Sequence, residues 1–160
     1  MVHLELRLLG VPEIVLDGQP VVLRRRHSLA LLAYLLLTRR AHARDALATL
    51  LTDDLPTERA NKVLRNALAD LNEQGIGPYV VRNRQAIRFN SDLPHSLDVD
   101  RIEDVLKIPS LHDAAAFDWG VAHCDRELLA GLTLRDAPLF ETWLVTEREH
   151  VRQQLDHLAM

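Results

Sequence analysis

The sequence predicts an α+β fold in which a small opening sheet, three helices and a β-hairpin precede a purely helical part. Short alternating segments around Asp17-Gly18 are typical of antiparallel strands joined by a tight turn. Residues 57–73 repeat their apolar side chains at helical spacing. Residues 79–89 form two arms of strand-like composition around Asn83-Arg84. Beyond residue 97 the pattern is helical throughout.

The opening sheet is predicted from residues 4–9, 13–16 and 21–23. The first of these alternates apolar and polar side chains, as a half-buried strand does. Asp17-Gly18 favours a hairpin because glycine adopts a positive φ without steric cost. These segments predict a three- to four-stranded sheet.

Three helices are predicted next, at residues 28–38, 44–51 and 57–73. The first is apolar around most of its circumference, which is typical of a central core helix. Residues 53–56 should separate the second from the third, because the proline there cannot continue a helix from upstream. Gly75 is expected to end the third helix.

The polar, turn-rich stretch at residues 90–94 marks a boundary, so the predicted domains are residues 1–92 and 93–160. The helices expected beyond it are one that begins at Asp98 or Asp100 and ends before Pro109, one over residues 111–129 and one over residues 139–159. The last has no stop signal, which leads us to expect further chain after it.

Composition excludes several classes of protein. The one cysteine, Cys124, cannot form an internal disulfide, which fits a cytoplasmic location. The longest apolar run, residues 29–37, falls short of the roughly 20 residues that a membrane-spanning helix needs. The N-terminus lacks the features of a secretory signal. We therefore expect no membrane partner.

Charge is divided unevenly along the chain, whose net charge is −4. Residues 1–92 carry 13 Lys and Arg against 10 Asp and Glu, whereas residues 93–160 carry 6 against 13. The first part, with its net positive charge, could bind the phosphates of a nucleic acid, whereas the second part, with its net negative charge, would be repelled by them. The division also favours two modules, although merely uneven spreading is an alternative.

The outward face of residues 57–73 carries Arg59, Lys62, Arg65 and Asn66. At 3.6 residues per turn, the three cations lie about 60° apart. They could neutralise phosphates, and the amide could pair with an adenine edge. Together with the basic hairpin that follows, this predicts a winged helix-turn-helix that places its third helix in the major groove of double-stranded DNA.

Other cations have two open interpretations. Arg82 and Arg84 at the hairpin turn could contact DNA or could only solubilise an edge strand, and for Arg88 the second is favoured. The run at residues 24–27 could contact phosphates, but positive charge at a helix start is unfavourable unless something compensates it. The predicted DNA-binding residues are Arg59, Lys62, Arg65, Asn66, Arg82 and Arg84.

The sequence contains no catalytic or metal-binding motif. Its eight histidines lack the spacing of a zinc motif, and it has no Cys-x-x-Cys. A Gly-x-Ser-x-Gly elbow and a Gly-x-x-x-x-Gly-Lys loop are also missing. We therefore expect no enzyme activity, no catalytic residue, no metal and no cofactor.

Stretches along nearly the whole chain carry a family resemblance: residues 4–10 with Asp17-Gly18, residues 28–37, residues 59–68, and residues 127–132 with residues 136–138 and Trp143. In this order they resemble the Streptomyces antibiotic regulatory protein family, in which a response-regulator-type winged helix precedes a bacterial transcriptional activation domain. The chain departs from the family at Ala43, where serine is frequent, at residues 52–54, where Trp-Pro-Asp is frequent, and at Cys124 and Arg126, where Tyr and Gly are common.

The resemblance implies a sequence-specific transcriptional regulator, an activator, with residues 57–73 as recognition helix and residues 79–89 as wing. It also implies that residues 93–160 begin an all-α, tetratricopeptide-like domain that contacts RNA polymerase or a second copy of the chain. The alternative is a protein–protein interaction module whose winged helix no longer binds DNA. The net negative charge, with Glu58 and Glu73 near the ends of the cationic face, favours that alternative.

Overall fold

The computed structural model describes residues 2–52, 57–107 and 114–159. Over these residues the fold is mixed α/β, with short strands and about six helices. The elements are β1 (Leu4–Arg7), β2 (Glu13–Leu16), β3 (Gln19–Val21), α1 (Arg26–Thr38), β4 (His42–Ala43), α2 (Arg44–Leu51), α3 (Thr57–Glu73), β5 (Val80–Arg82), β6 (Ala86–Phe89), β7 (His95–Leu97), α4 (Asp98–Lys107), α5 (Ala114–His123) and α6 (Pro138–Ala159). The breaks predicted at residues 53–56 and at Pro109 lie outside the described residues.

The opening sheet has the strand order β3-β2-β1-β7. Its third strand begins two residues earlier than predicted, because a two-residue turn places Gln19 directly opposite Leu16. Both turn residues, Asp17 and Gly18, have positive φ, as the tight hairpin turns that match strand twist require. The sequence did not predict β7, which pairs in parallel with β1.

The three helices after the sheet follow the prediction closely. The predicted bounds of α2 and α3 are confirmed, and α1 begins at Arg26 rather than at residue 28. The end of α3 is a Schellman motif, in which the amide of Ile76 donates to the carbonyl of Leu71 at 2.9 Å and Gly75 has a φ of 88°. The position favours glycine because of this positive φ, and a Cβ atom there would also displace a methyl carbon of Leu16, which would lie 2.9 Å away.

The hairpin of β5 and β6 is attached to the start of α2. Strand β4 pairs with β6, and the amide of Arg44 donates to the carbonyl of Gln85 at 3.0 Å. The side chain of Asn83 closes the turn by accepting hydrogen bonds from the amides of Gln85 and Ala86, each at 2.8 Å. The turn therefore has a fixed position relative to α2.

The predicted helix over residues 111–129 is wrong at its C-terminal end. Helix α5 ends at His123, and Leu129 has a φ of 52°. Backbone groups that a helix would have used pair instead with the chain after β1: Gly10 N–H to Glu127 C=O at 2.8 Å, Leu129 N–H to Leu8 C=O at 2.7 Å and Ala130 N–H to Gly10 C=O at 2.9 Å. Residues 111–113 lie outside the described residues.

Two polar side chains reinforce this junction. The carboxylate of Asp98 accepts hydrogen bonds from the amides of Leu8 at 2.9 Å and Leu9 at 3.0 Å. The guanidinium of Arg148 donates to the carbonyls of Leu128, Leu129 and Leu132 at 2.9, 2.8 and 3.3 Å. Aliphatic side chains from both halves of the chain form one core around it. Among the described residues, no helix is both long and apolar enough to cross a membrane.

We predict that Arg148→Ala lowers the free energy of unfolding by about 2 kcal/mol, because carbonyls in a largely buried turn lose their donor. Urea denaturation followed by circular dichroism measures the change. Arg152→Ala is the matched control, since Arg152 lies one turn further along α6 and pairs only with Glu149 and Asp156 in the described structure. Equal midpoints for the two variants would contradict the prediction.

His42 is a buried histidine whose Nε2 carries a hydrogen. Its side chain is buried, and its Nε2 lies 2.7 Å from the hydroxyl of Thr38. That hydroxyl donates its one proton to the carbonyl of Tyr34 at 2.6 Å, so the hydrogen on Nε2 must point to the hydroxyl. Burial, and secondarily the charge of Arg40, lower the pKa of His42.

We predict that His42 makes the fold less stable at acidic pH. Below about pH 6.5 the imidazole of His42 binds a proton in the unfolded chain but stays neutral in the folded chain, because its folded-state pKa is lower. The contribution of neutral His42 to the free energy of unfolding is therefore present above that pH and is lost as the pH falls. The urea midpoint should drop between about pH 7.5 and about pH 5.5, and should drop less in His42→Gln. Burial also lowers the pKa of His27. Because His27 is present in both the wild type and His42→Gln, its effect on the midpoint is the same in both proteins. An equal drop in both would contradict the assignment to His42.

Candidate nucleic-acid interface

Helix α3 buries one face and exposes the other. Its buried side chains pack against α1 and α2, and they are Ala60, Leu64, Ala67, Leu68, Asp70 and Leu71. Arg59, Lys62 and Arg65 are exposed, and Asn66 is half-buried. The three cations form no ion pair with any acid among the described residues. The described part of the acidic second half therefore leaves these three cations exposed.

One flank of α3 borders the hairpin across a shallow groove. Arg44, Arg65 and Arg82 line it, together with Asn72 and Glu73. Arg44 also donates a hydrogen bond from Nη1 to the carbonyl of Asn83 at 3.0 Å, which joins the groove to the hairpin turn. The structure thus brings two of the predicted residues, Arg65 and Arg82, to the same groove.

The opposite flank of α3 borders the chain segment that leads into α1. Arg24 and Arg25 line this second groove with Asn66, Ala69 and Glu73. At about 100° per residue, Asn66 lies on one side of Ala69 around the helix and Arg65 lies on the other. The outer face of α3 is therefore bordered by arginines on both sides.

The remaining predicted residues are placed less specifically. Arg59 and Lys62 project from α3 but border neither groove, and Arg84 is exposed in the hairpin turn. Glu58 and Glu73 are also exposed and reduce the positive charge near the two ends of the face. The face is cationic along its middle and at its flanks.

Sequence reasoning did not identify Arg44 as part of this surface, and it left residues 24–27 undecided. The sequence does contain one signal that both groups of arginines share. Arg44 and Arg26 are the first residues of α2 and α1, where a positive charge opposes the helix dipole. Cations in such positions indicate a tertiary role, but the sequence does not say which helix they would border.

The described residues 2–52, 57–107 and 114–159 bring no three His, Cys, Asp or Glu side chains together as a metal site. A cavity of about 740 Å³ lies away from α3, between the opening sheet and the helices α4 and α5. Its lining mixes acidic residues with arginines and histidines, so its charge selects no ligand class.

Comparison with solved structures shows a likeness over most of the chain. The fold resembles that of EmbR. The solved structure is Mycobacterium tuberculosis EmbR in complex with low affinity phosphopeptide, with a TM-score of 0.66 and 23% sequence identity. The match covers 96% of this chain and 44% of EmbR. It supports the type of fold that the sequence resemblance implies. No protein-family model matches the sequence, and no curated protein matches it.

Proposed function

We propose that the chain is a sequence-specific DNA-binding transcriptional regulator, and an activator. In this proposal residues 1–92 form the winged helix-turn-helix domain, with α3 as recognition helix and the hairpin of β5 and β6 as wing. Residues 93–160 form the start of the tetratricopeptide-like activation domain. The supporting observation is the exposed face of α3, which carries Arg59, Lys62 and Arg65 and has arginines on both flanks.

The shape of the surface suits a duplex. The major groove is about 12 Å wide and admits one helix, so the phosphate backbones lie on either side of that helix. Cations at both flanks of α3 would meet these backbones, and Asn66 and Arg65 would lie nearer the base edges. The small exposed side chain of Ala69 would permit close approach.

The likeness to EmbR adds support from a second source, since EmbR is a regulator of the same family that the sequence resembles. This chain matches less than half of EmbR, so the activity and partners of a whole regulator come to it only as proposals. We propose contact with RNA polymerase and a homodimer through the helical domain as the roles of residues 93–160. We also propose a cytoplasmic location and no enzymatic activity.

Titration of the 160-residue chain against labelled genomic fragments tests the proposal. Fluorescence anisotropy at about 50 mM and about 200 mM salt should show binding that weakens steeply with salt, because counterions are released from phosphates. Sequencing of the bound fragments should reveal a shared site. Absence of binding at both salt concentrations would refute the proposal and favour the protein–protein interaction module.

We predict that Lys62→Ala binds all duplexes more weakly and with a salt slope about 0.9 shallower, the value for one lost phosphate contact. The affinity for random and selected duplexes should fall by similar factors, because phosphate contacts carry no sequence information. Arg152→Ala, which removes one positive charge from α6, should leave both quantities unchanged. An unaltered slope in Lys62→Ala would exclude a phosphate contact.

We predict that Asn66→Ala instead relaxes base preference at a single position of the site. A bidentate amide–adenine pair contributes about 1–3 kcal/mol of discrimination against the wrong base. Repeating the fragment selection with this variant should therefore flatten one column of the recovered site and leave the salt slope unchanged. A site identical to that of the wild type would show that Asn66 reads no base.

A further inference from the structure

The arginines at residues 24–26 have no compensating charge in their own helix. They lead into α1 and begin it, where positive charge opposes the helix dipole. The first turn of α1 contains no acidic residue, and its N-cap, Arg25, makes no side-chain cap. Local sequence therefore gives no reason for the run, and its position depends on another element.

That element is α3, through a buried carboxylate. Asp70 is 3% exposed, and its Oδ2 accepts hydrogen bonds from the amides of Arg24 and Arg25 at 3.0 and 3.1 Å and from the hydroxyl of Ser28 at 2.7 Å. It therefore supplies from α3 both the acceptor and the negative charge that the start of α1 lacks. Its Oδ1 has no partner among the described residues.

This contact fixes the arginine backbone against α3. Moving the segment away would leave two part-buried amides, the buried hydroxyl of Ser28 and a buried carboxylate unpaired, which is costly. The side chains of Arg24 and Arg25 remain exposed and line the groove with Asn66 on the flank of α3 away from the hairpin. Glu73 and the buried Asp70 border the same groove, so its exposed charges are two guanidinium groups against one carboxylate.

We propose that Arg24 and Arg25 bind DNA phosphates on the flank of α3 opposite Arg44 and Arg82, and that Asp70 is the positioning residue that holds them there. The two arginine pairs would then contact the two backbones that border one major groove. This inference rests on the proposed function, because it needs α3 to lie in that groove.

The first test compares two double variants of the full chain. Arg24→Ala/Arg25→Ala should bind a random-sequence duplex roughly 10-fold more weakly and with a salt slope shallower by about 1 to 2, the loss expected for one or two phosphate contacts. Base preference should be unchanged. Arg7→Ala/Arg152→Ala removes the same charge from arginines that pair with carboxylates elsewhere, and it should bind like the wild type.

The outcome separates the inference from the function on which it rests. If the wild type binds, Lys62→Ala is impaired and Arg24→Ala/Arg25→Ala matches its control, then the inference is wrong and the proposed function stands. If the wild type binds no duplex at either salt concentration, both are wrong.

The second test examines Asp70 by a double-mutant cycle. Asp70→Ala should reproduce the shallower salt slope, and combining it with Arg24→Ala/Arg25→Ala should cause little further loss. A purely structural role would instead lower the urea midpoint while the folded protein kept its wild-type slope, and that result overturns the positioning role. Asp70→Asn retains an acceptor oxygen and should restore most of the affinity. If Asp70→Ala does not fold, the cycle is run with Asp70→Ser, whose single short oxygen cannot reach all three donors, and strictly additive losses there overturn the positioning role.

Discussion

The carboxylate of Asp70 is the constraint on which the arrangement around α3 depends. It is buried in the core-facing side of that helix, and it receives two backbone amides and a hydroxyl from the start of α1. A buried charge is stable only where its hydrogen bonds are made, so the two helices can combine in few ways. The core around them is almost entirely aliphatic and non-directional, and would tolerate small slips. The hydrogen bonds of Asp70 therefore fix the orientation of α1 relative to α3, which apolar contacts alone would leave less defined.

The second constraint joins the two halves of the chain. The segment after β1 is enclosed between Asp98 and the turn at residues 127–130, and Arg148 holds that turn from α6. Further contacts join α1 to the helical part: Arg39 pairs with Asp100 and Glu103, and the rings of Tyr34 and Trp143 meet edge to face at 4.8 Å. The helical part therefore has a defined orientation relative to α3. If α3 lies in a groove of DNA, the orientation of that part on the duplex is determined as well.

Local sequence signals were sufficient for the helices and insufficient for pairings between distant segments. Helices α2 and α3 match their predicted bounds because periodic apolar side chains and a glycine stop specify them locally. Strands β4 and β7 are two and three residues long and exist only because distant strands pair with them. Residues 127–129 show the same limitation, since tertiary pairing overrode their helical composition. At the candidate interface, helical periodicity predicted which side chains of α3 are exposed. It could not predict that Arg44 and Arg24 border this helix, because their positions depend on how three helices pack.

The parallel pairing of β7 with β1 has a consequence for any fragment of this chain. Cutting between residues 92 and 93 would remove β7 together with Asp98 and the turn at residues 127–130. Strand β1 would then become an open edge with unpaired amides beside the apolar side chains of Leu4, Leu6 and Leu8. Unprotected edges of this kind recruit strands from other molecules and lead to aggregation. The shortest fragment that stays monodisperse in concentrated solution should therefore extend through α6.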